Sequence, residues 1–207
     1  MASVYYENLI QRVIDASISK DWKGSVQEWY IHSCDKDESQ TSRCVCGKEN
    51  LKYLFTIRNR FNGNILFPIG SSCILKFGRK DLKEQINLYE QMFTLLNAVE
   101  KGEYITLEYF SRKLLLYLYK CGVFKPTPYN KFNGKNDYDF MLDMFNKRNK
   151  PSEKQEKKIR GIIFLTIIPY LKEHIKHKDL FSININNSCK LVWESILWYF
   201  LFLYWKI

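Results

Sequence analysis

The sequence predicts an α+β fold, with strands confined to the first third and helices filling the rest. Three observations carry this reading. Two runs rich in β-branched and aromatic residues, "LKYLFTIR" (51–58) and "ILFPI" (65–69), flank Asn62-Gly63, a dipeptide that favours hairpin turns. From Leu82 onward the apolar positions Leu82, Ile86, Tyr89, Phe93, Leu96 and Val99 recur at steps of three and four, the period of an amphipathic helix. Ser152, with Gln155 three residues later, has the spacing of a capping box in front of the run that ends at His177.

Tyr5, Leu9, Val13 and Ile14 share one helical face, which predicts a helix over 4–17. Gly24 is a break, and residues 26–31 read as a strand running toward Cys34. "DKDESQTS" (35–42) is a polar loop. Pro68 cannot donate to a ladder, so the second hairpin strand belongs at a sheet edge. Gly102 stops the helix that begins near Leu82. Thr106 is placed to cap the next helix, with Phe110, Leu114, Tyr117 and Leu118 on one face and Gly122 at its end. Residues 123–136, with two prolines and a second Asn-Gly, read as a loop, and 137–148 as a short helix. Pro169 should kink or interrupt the long helix after Ser152. Ser188 is placed to cap a terminal helix. The expected organisation is an N-terminal helix plus hairpin module over 1–80 and a helical domain over 81–207, able to pack as one body.

The cysteines give the front module its chemistry. Cys44 and Cys46 are two apart, so in extended chain both side chains point the same way. Gly47 lets the backbone turn behind them. The hairpin carries the chain away and back to Gly70-Ser71-Ser72-Cys73, where Cys73 enters the first turn of a helix, a setting that favours a thiolate. A structural zinc ion takes four ligands in a tetrahedron. Cys34 is the candidate fourth, giving Cys34-x9-Cys44-x-Cys46-x26-Cys73, with His32 as the alternative. Such a closed site has no position for substrate, so the zinc is expected to be structural. Cys121 and Cys189 lie in apolar helical contexts and read as buried free thiols. The knuckle–hairpin–helix order resembles a treble clef, with one residue instead of the usual two between the knuckle cysteines.

The stretch "CVCGKENLKYLFTIRNRFNGNILFPIGSSCILKF" (44–77) resembles a zinc-binding module of phage and mobile-element proteins. That module shows Cys-x-Cys-Gly, often with His next, then an Asn-x-x-x-Gly hairpin, then Gly-Ser-x-Cys-Ile and Phe. Here Lys48 stands where His is frequent, and Cys34 is the residue that could take its place. The likeness covers about residues 26–77. "YFSRKLLLYLYKCGVF" and "SEKQEKKIRGII" are similar to the helical companions of such modules. The whole chain resembles the zinc-containing anti-CRISPR proteins of phages of low-GC Gram-positive bacteria. The resemblance implies a stoichiometric inhibitor, not an enzyme. Its implied partner is a type II RNA-guided Cas endonuclease, met in the host bacterial cytoplasm.

Charge and motif content bound the alternatives. The formal net charge is +10, of which residues 101–207 supply +9. A basic protein does not mimic the charge of DNA, so an inhibitor of this kind should meet an acidic protein face or the guide RNA. The run "KRNKPSEKQEKKIR" offers Lys147, Arg148, Lys150, Lys154, Lys157, Lys158 and Arg160 for a partner, although at helical spacing Lys154, Lys157, Lys158 and Arg160 cannot all face one way. On the hairpin, Arg58 and Arg60 with Lys52, Tyr53 and Phe61 form a second basic-aromatic patch. No phosphate-binding Gly-rich loop and no Gly-x-Ser-x-Gly elbow occurs. Asp35, Asp37 and Glu38 read as a hydrated acidic loop, and His174 with His177 as a solvated helix face. The apolar stretch 191–205 contains Glu194 and falls short of the roughly 18–20 residues that span a bilayer, so no membrane role is expected. The first residues lack a basic segment leading into an apolar run, hence the expectation of a cytoplasmic, reducing setting. The alternative function is a zinc-dependent nucleic-acid-binding accessory protein of phage replication or recombination.

Overall fold

The computed structural model describes residues 3–147 and 150–175. The chain is α+β, and it divides into two compact units between Phe93 and Thr94.

The first unit opens with α1 (Val4–Asp15), which buries Leu9 and Val13. The one-turn helix α2 (Trp22–Ser25) is capped by Asp21, whose carboxylate accepts from the Gly24 N–H at 2.9 Å. Three antiparallel strands come next: β1 (Trp29–Lys36), β2 (Tyr53–Asn59) and β3 (Ile65–Ile69), in the order β1-β2-β3. The strand expected from residue 26 begins only at Trp29. Residues Val26–Glu28 form a 3-10 turn instead. The Arg79 guanidinium donates to the carbonyls of Val26, Gln27 and Trp29 at 3.1, 3.3 and 2.6 Å, which occupies acceptors that a ladder would use.

A bulge sets the facing of β1. The register with β2 shifts between Ile31 and Ser33, so His32 is one residue too many. Trp29 and Ile31 are buried, and the extra residue brings Cys34 back to the same face, opposite Phe55. Pro68 lies on β3, an edge strand, as its missing donor requires. The turn between β2 and β3 is organised by Asn59, whose side-chain oxygen accepts from the amides of Phe61 (2.9 Å) and Asn62 (3.3 Å). Gly63 has a φ of +76° there. A single short turn, α3 (Ser71–Leu75), leads to the long helix α4 (Lys80–Glu100). Rings of Tyr53 and Phe93 stack at 5.4 Å, and those of Phe55 and Tyr89 meet edge-on at 6.0 Å, which seats α4 on the sheet.

In the second unit α4 ends at Gly102 (φ +71°), with the Glu103 N–H reaching the Ala98 carbonyl at 2.9 Å. Thr106 caps a 3-10 turn (Leu107–Tyr109), not the helix expected from it. The helix α5 (Arg112–Lys120) is capped by Ser111, whose hydroxyl accepts from Leu114 N–H at 3.1 Å, and ends at Gly122 (φ +70°). Cys121, just past α5, is disulfide-bonded, which corrects its reading as a free thiol; Cys189 lies outside the described residues. The helix α6 (Gly134–Asn146) starts inside the stretch read as loop, because Asn133 caps it through the Lys135 N–H at 3.0 Å. The Ser152–Gln155 capping box opens α7 (Glu153–Ile162). The interruption expected from Pro169 is a π-helical stretch, Ile163–Ile167, before α8 (Ile168–Ile175). Pro169 has no N–H for the Leu165 carbonyl, and a wider turn absorbs the missing bond. The terminal helix expected after Ser188 lies outside the described residues. No helix among the described residues is long and apolar enough to cross a membrane.

Candidate metal centre

Cys44, Cys46 and Cys73 form the one group of potential ligands that closes tightly among the described residues. Their sulfurs all lie within 4.8 Å of one another, and all three residues are buried. The Cys73 Sγ is 3.7 Å from that of Cys44 and 3.4 Å from that of Cys46. Three thiols this close can hold a metal ion.

The local backbone explains the convergence. Cys44 N–H donates to the Lys48 carbonyl at 2.8 Å and Gly47 N–H to the Cys44 carbonyl at 2.7 Å, which folds residues 44–48 into a knuckle. Gly47 sits at φ +95°, a conformation that side chains disfavour. Val45 N–H donates to the Pro68 carbonyl at 2.9 Å, so the knuckle hangs on the outer edge of β3. At the end of β3 the Gly70 amide points at Cys44 Sγ, 3.4 Å away. A Cβ at Gly70 would lie 2.9 Å from Leu51 Cδ2, so Leu51 packs against the bare backbone there and would have to shift for a larger residue. The next turn delivers Cys73. From the other side, Asn8 of α1 donates to the Cys46 carbonyl at 3.3 Å. Asn8, the Pro68 carbonyl and the Gly70 amide are positioning groups that sequence reading missed. None of them carries a cysteine-like signal, and only the fold brings them to the knuckle.

The cluster favours a thiolate. The hydrogen bond shared between the Cys44 and Cys73 sulfurs, supported by the backbone amides of Cys46 and Gly70, lowers Cys44 to about 5 despite burial. The same hydrogen bond to Cys44, together with burial, pushes Cys73 strongly up.

Cys34 does not join them. Cys34 pairs with Phe55 of β2, and Phe55 pairs with Ile69 of β3. With β2 between, Cys34 stands about two strand spacings, roughly 10 Å, from the strand that leads to Cys73. It is buried, its Sγ lies 3.7 Å from the Asp35 carbonyl oxygen, and burial pushes its thiol well up. The expected four-cysteine set is thus brought together as three. His32, the alternative, is the bulge residue of β1 and meets Tyr30 edge-on at 6.3 Å, outside the thiol group.

The acidic and histidine candidates lie elsewhere. The Asp37 carboxylate accepts from Ser39 N–H (3.0 Å), Ser39 Oγ (2.6 Å), Thr41 N–H (3.1 Å) and Ser42 N–H (2.9 Å), and these bonds hold it well below the usual range. Glu38 pairs with Lys36 at 2.6 Å. Those acids shape their loop. His174 stacks on Tyr170 with ring centroids 4.0 Å apart, and His177 lies outside the described residues.

The basic run is divided. Lys157 pairs with Glu153 at 2.6 Å, and Lys158 lies 3.4 Å from Asp137 and 4.4 Å above the Phe140 ring. Lys154 is exposed, and Arg148 lies outside the described residues. Lys147, Lys150 and Arg160 line a cavity of about 560 Å³ with Tyr104, Phe145 and Ile159. Arg160 stands 4.9 Å over the Tyr104 ring, and Lys147 is held by Asp143 at 2.7 Å. Arg58 and Arg60 are exposed on β2 and at its turn. Set beside known proteins, the chain matches no family model, no curated protein and no solved structure.

Proposed function

We propose that this chain is a zinc-organised inhibitor that binds a bacterial type II RNA-guided Cas endonuclease in the host cytoplasm and blocks target DNA binding or cleavage. The observation that carries the reading is the convergence of Cys44, Cys46 and Cys73, the cysteines of the module on which the resemblance rests. Zinc–thiolate bonds of about 2.3 Å at tetrahedral angles put sulfurs about 3.8 Å apart. The separations of 3.4 and 3.7 Å need little adjustment to reach that. Zinc bound there would neutralise the thiolates and tie the knuckle to the turn after β3, a structural role. Cys44, Cys46 and Cys73 supply three of its ligands.

The test uses the assembled nuclease with its guide RNA. Near-equimolar protein should abolish cleavage of a target plasmid and co-elute with the nuclease in gel filtration at moderate salt. Full cleavage with no co-elution rejects the reading. Treatment with a strong chelator should remove zinc and inhibition together; inhibition by zinc-free protein rejects the role given to the metal.

A second reading is a zinc-dependent nucleic-acid-binding accessory protein of phage replication or recombination. The charge of +9 on residues 101–207 favours it.

A further inference from the structure

We propose that the outward face of the three-stranded sheet binds single-stranded nucleic acid, stacking bases on its aromatic rings and holding phosphates with Arg58 and Arg60. The inference is independent of the inhibitor reading, since a nuclease that goes uninhibited leaves it intact. It is built wholly from residues of the first unit.

The register builds the face. Tyr30 of β1 pairs with Arg58 of β2, and Arg58 with Ile65 of β3, so these three side chains form one row across the sheet. Their strand neighbours Trp29, Ile31, Ile57 and Asn59 are buried, which puts the row on the side away from the core. Phe67 stands two residues beyond Ile65 on the same strand, and Phe61 projects from the adjoining turn. Phe61 is 70% exposed, Ile65 52% and Phe67 49%. Large apolar side chains left in water on one edge strand and its adjoining turn are the kind of exposure that marks a binding surface.

The composition of the patch selects the partner. Arg60 Cζ lies 5.1 Å from the centroid of the Tyr30 ring, within cation–π reach of an aromatic of the face. Arg58 stands beside it in the next strand. The register puts one carboxylate of these strands on this side, Asp35, at the far end opposite Leu54. Aromatic rings beside arginines suit a polyanion that also offers π faces. Single-stranded nucleic acid has both, whereas a duplex hides its base faces in the stack.

Fluorescence anisotropy with the purified full chain tests this, using labelled oligothymidine and oligouridine of about 20 nucleotides at about 50 to 200 mM salt. Saturable binding that weakens with salt is expected, and binding of either the DNA or the RNA arm upholds the proposal. Arg58→Ala and Arg60→Ala should each reduce the salt slope by about 0.7, the share of one phosphate contact on a single strand. Phe61→Ala and Phe67→Ala should weaken binding about 5- to 150-fold and leave the slope unchanged. Both phenylalanines are exposed, so thermal melting of these variants should match the parent, which separates lost binding from lost fold. Absence of binding at the lowest salt overturns the proposal. So does binding that all four substitutions leave unchanged, or equal affinity for a duplex of the same length.

Discussion

Cys34 and Cys46 are buried to nearly the same degree, yet only Cys46 shares its sulfur with two others. The difference lies in the backbone immediately after each cysteine. Cys46 precedes a glycine at positive φ that turns the backbone around the sulfurs, while Cys34 continues in a strand whose partner strand screens it from the cluster. Whether a cysteine joins the cluster thus depends on the turn behind it more than on the cysteine itself. The two substitutions should therefore separate cleanly. Elemental analysis of purified Cys34→Ser protein should return the parent metal content. Cys46→Ser should lose most of the metal, because two thiolates are a poor site for an ion that wants four ligands. Equal loss in both variants would restore Cys34 to the ligand set.

At the scale of elements, caps and close approaches decided boundaries that periodicity left open. Thr106 and Ser111 both have capping chemistry, and both are used, one on a 3-10 turn and one on α5. Phe110 falls between them and is buried without being helical. The α6 start shows the opposite case. Asn133-Gly134 has turn composition, but Asn133 acts as a cap and Gly134 is the first helical residue. Gly134 is required by contact: a Cβ there would sit 1.8 Å from the Phe124 carbonyl oxygen. The buried Asn130 side chain holds the same loop in place, donating to the Lys125 carbonyl at 2.8 Å and to the Asp137 carboxylate at 2.7 Å. Gly134→Ala should consequently lower the melting temperature, with a loss of about 1–3 kcal/mol from overpacking against backbone. An unchanged melting curve would show that the loop moves aside at no cost.

For the first unit as a whole, the buried carboxylate of Glu28 is the joint. It accepts from the amides of Ile18 (2.8 Å) and Ser19 (2.7 Å) and from Asn59 Nδ2 (2.6 Å), so it ties the α1–α2 connection to the end of β2. Burial alone would raise its pKa; the hydrogen bonds from Asn59, Ile18 and Ser19 outweigh that and hold it at about 2. A folded value below the unfolded one means the stabilisation is complete above about pH 4.5 and is lost as pH falls toward 2. Its size is about 1–3 kcal/mol, the lower figure allowing for solvent screening. Denaturant unfolding should show Glu28→Gln less stable than the parent at pH 6. The gap should close progressively between about pH 4.5 and pH 2. A gap that stays constant with pH would assign the loss to packing instead of charge.

The α+β class, the hairpin with its edge proline, the glycine stops at Gly102 and Gly122, and the capping box at Ser152 were all legible in the chain before any fold was known. Each depends on chemistry within a few residues: φ freedom, a missing donor, a side chain reaching its own backbone. Cys44, Cys46 and Cys73 were legible for a related reason, since turns on either side of a hairpin bring such residues back together. That Cys34 stays apart was not legible, because the bulge at His32 and the intervening β2 are matters of register that no spacing encodes. Nor was the choice of which arginines share a face with exposed rings. Side chains meet across strands according to pairing, and pairing is settled by the whole buried face at once.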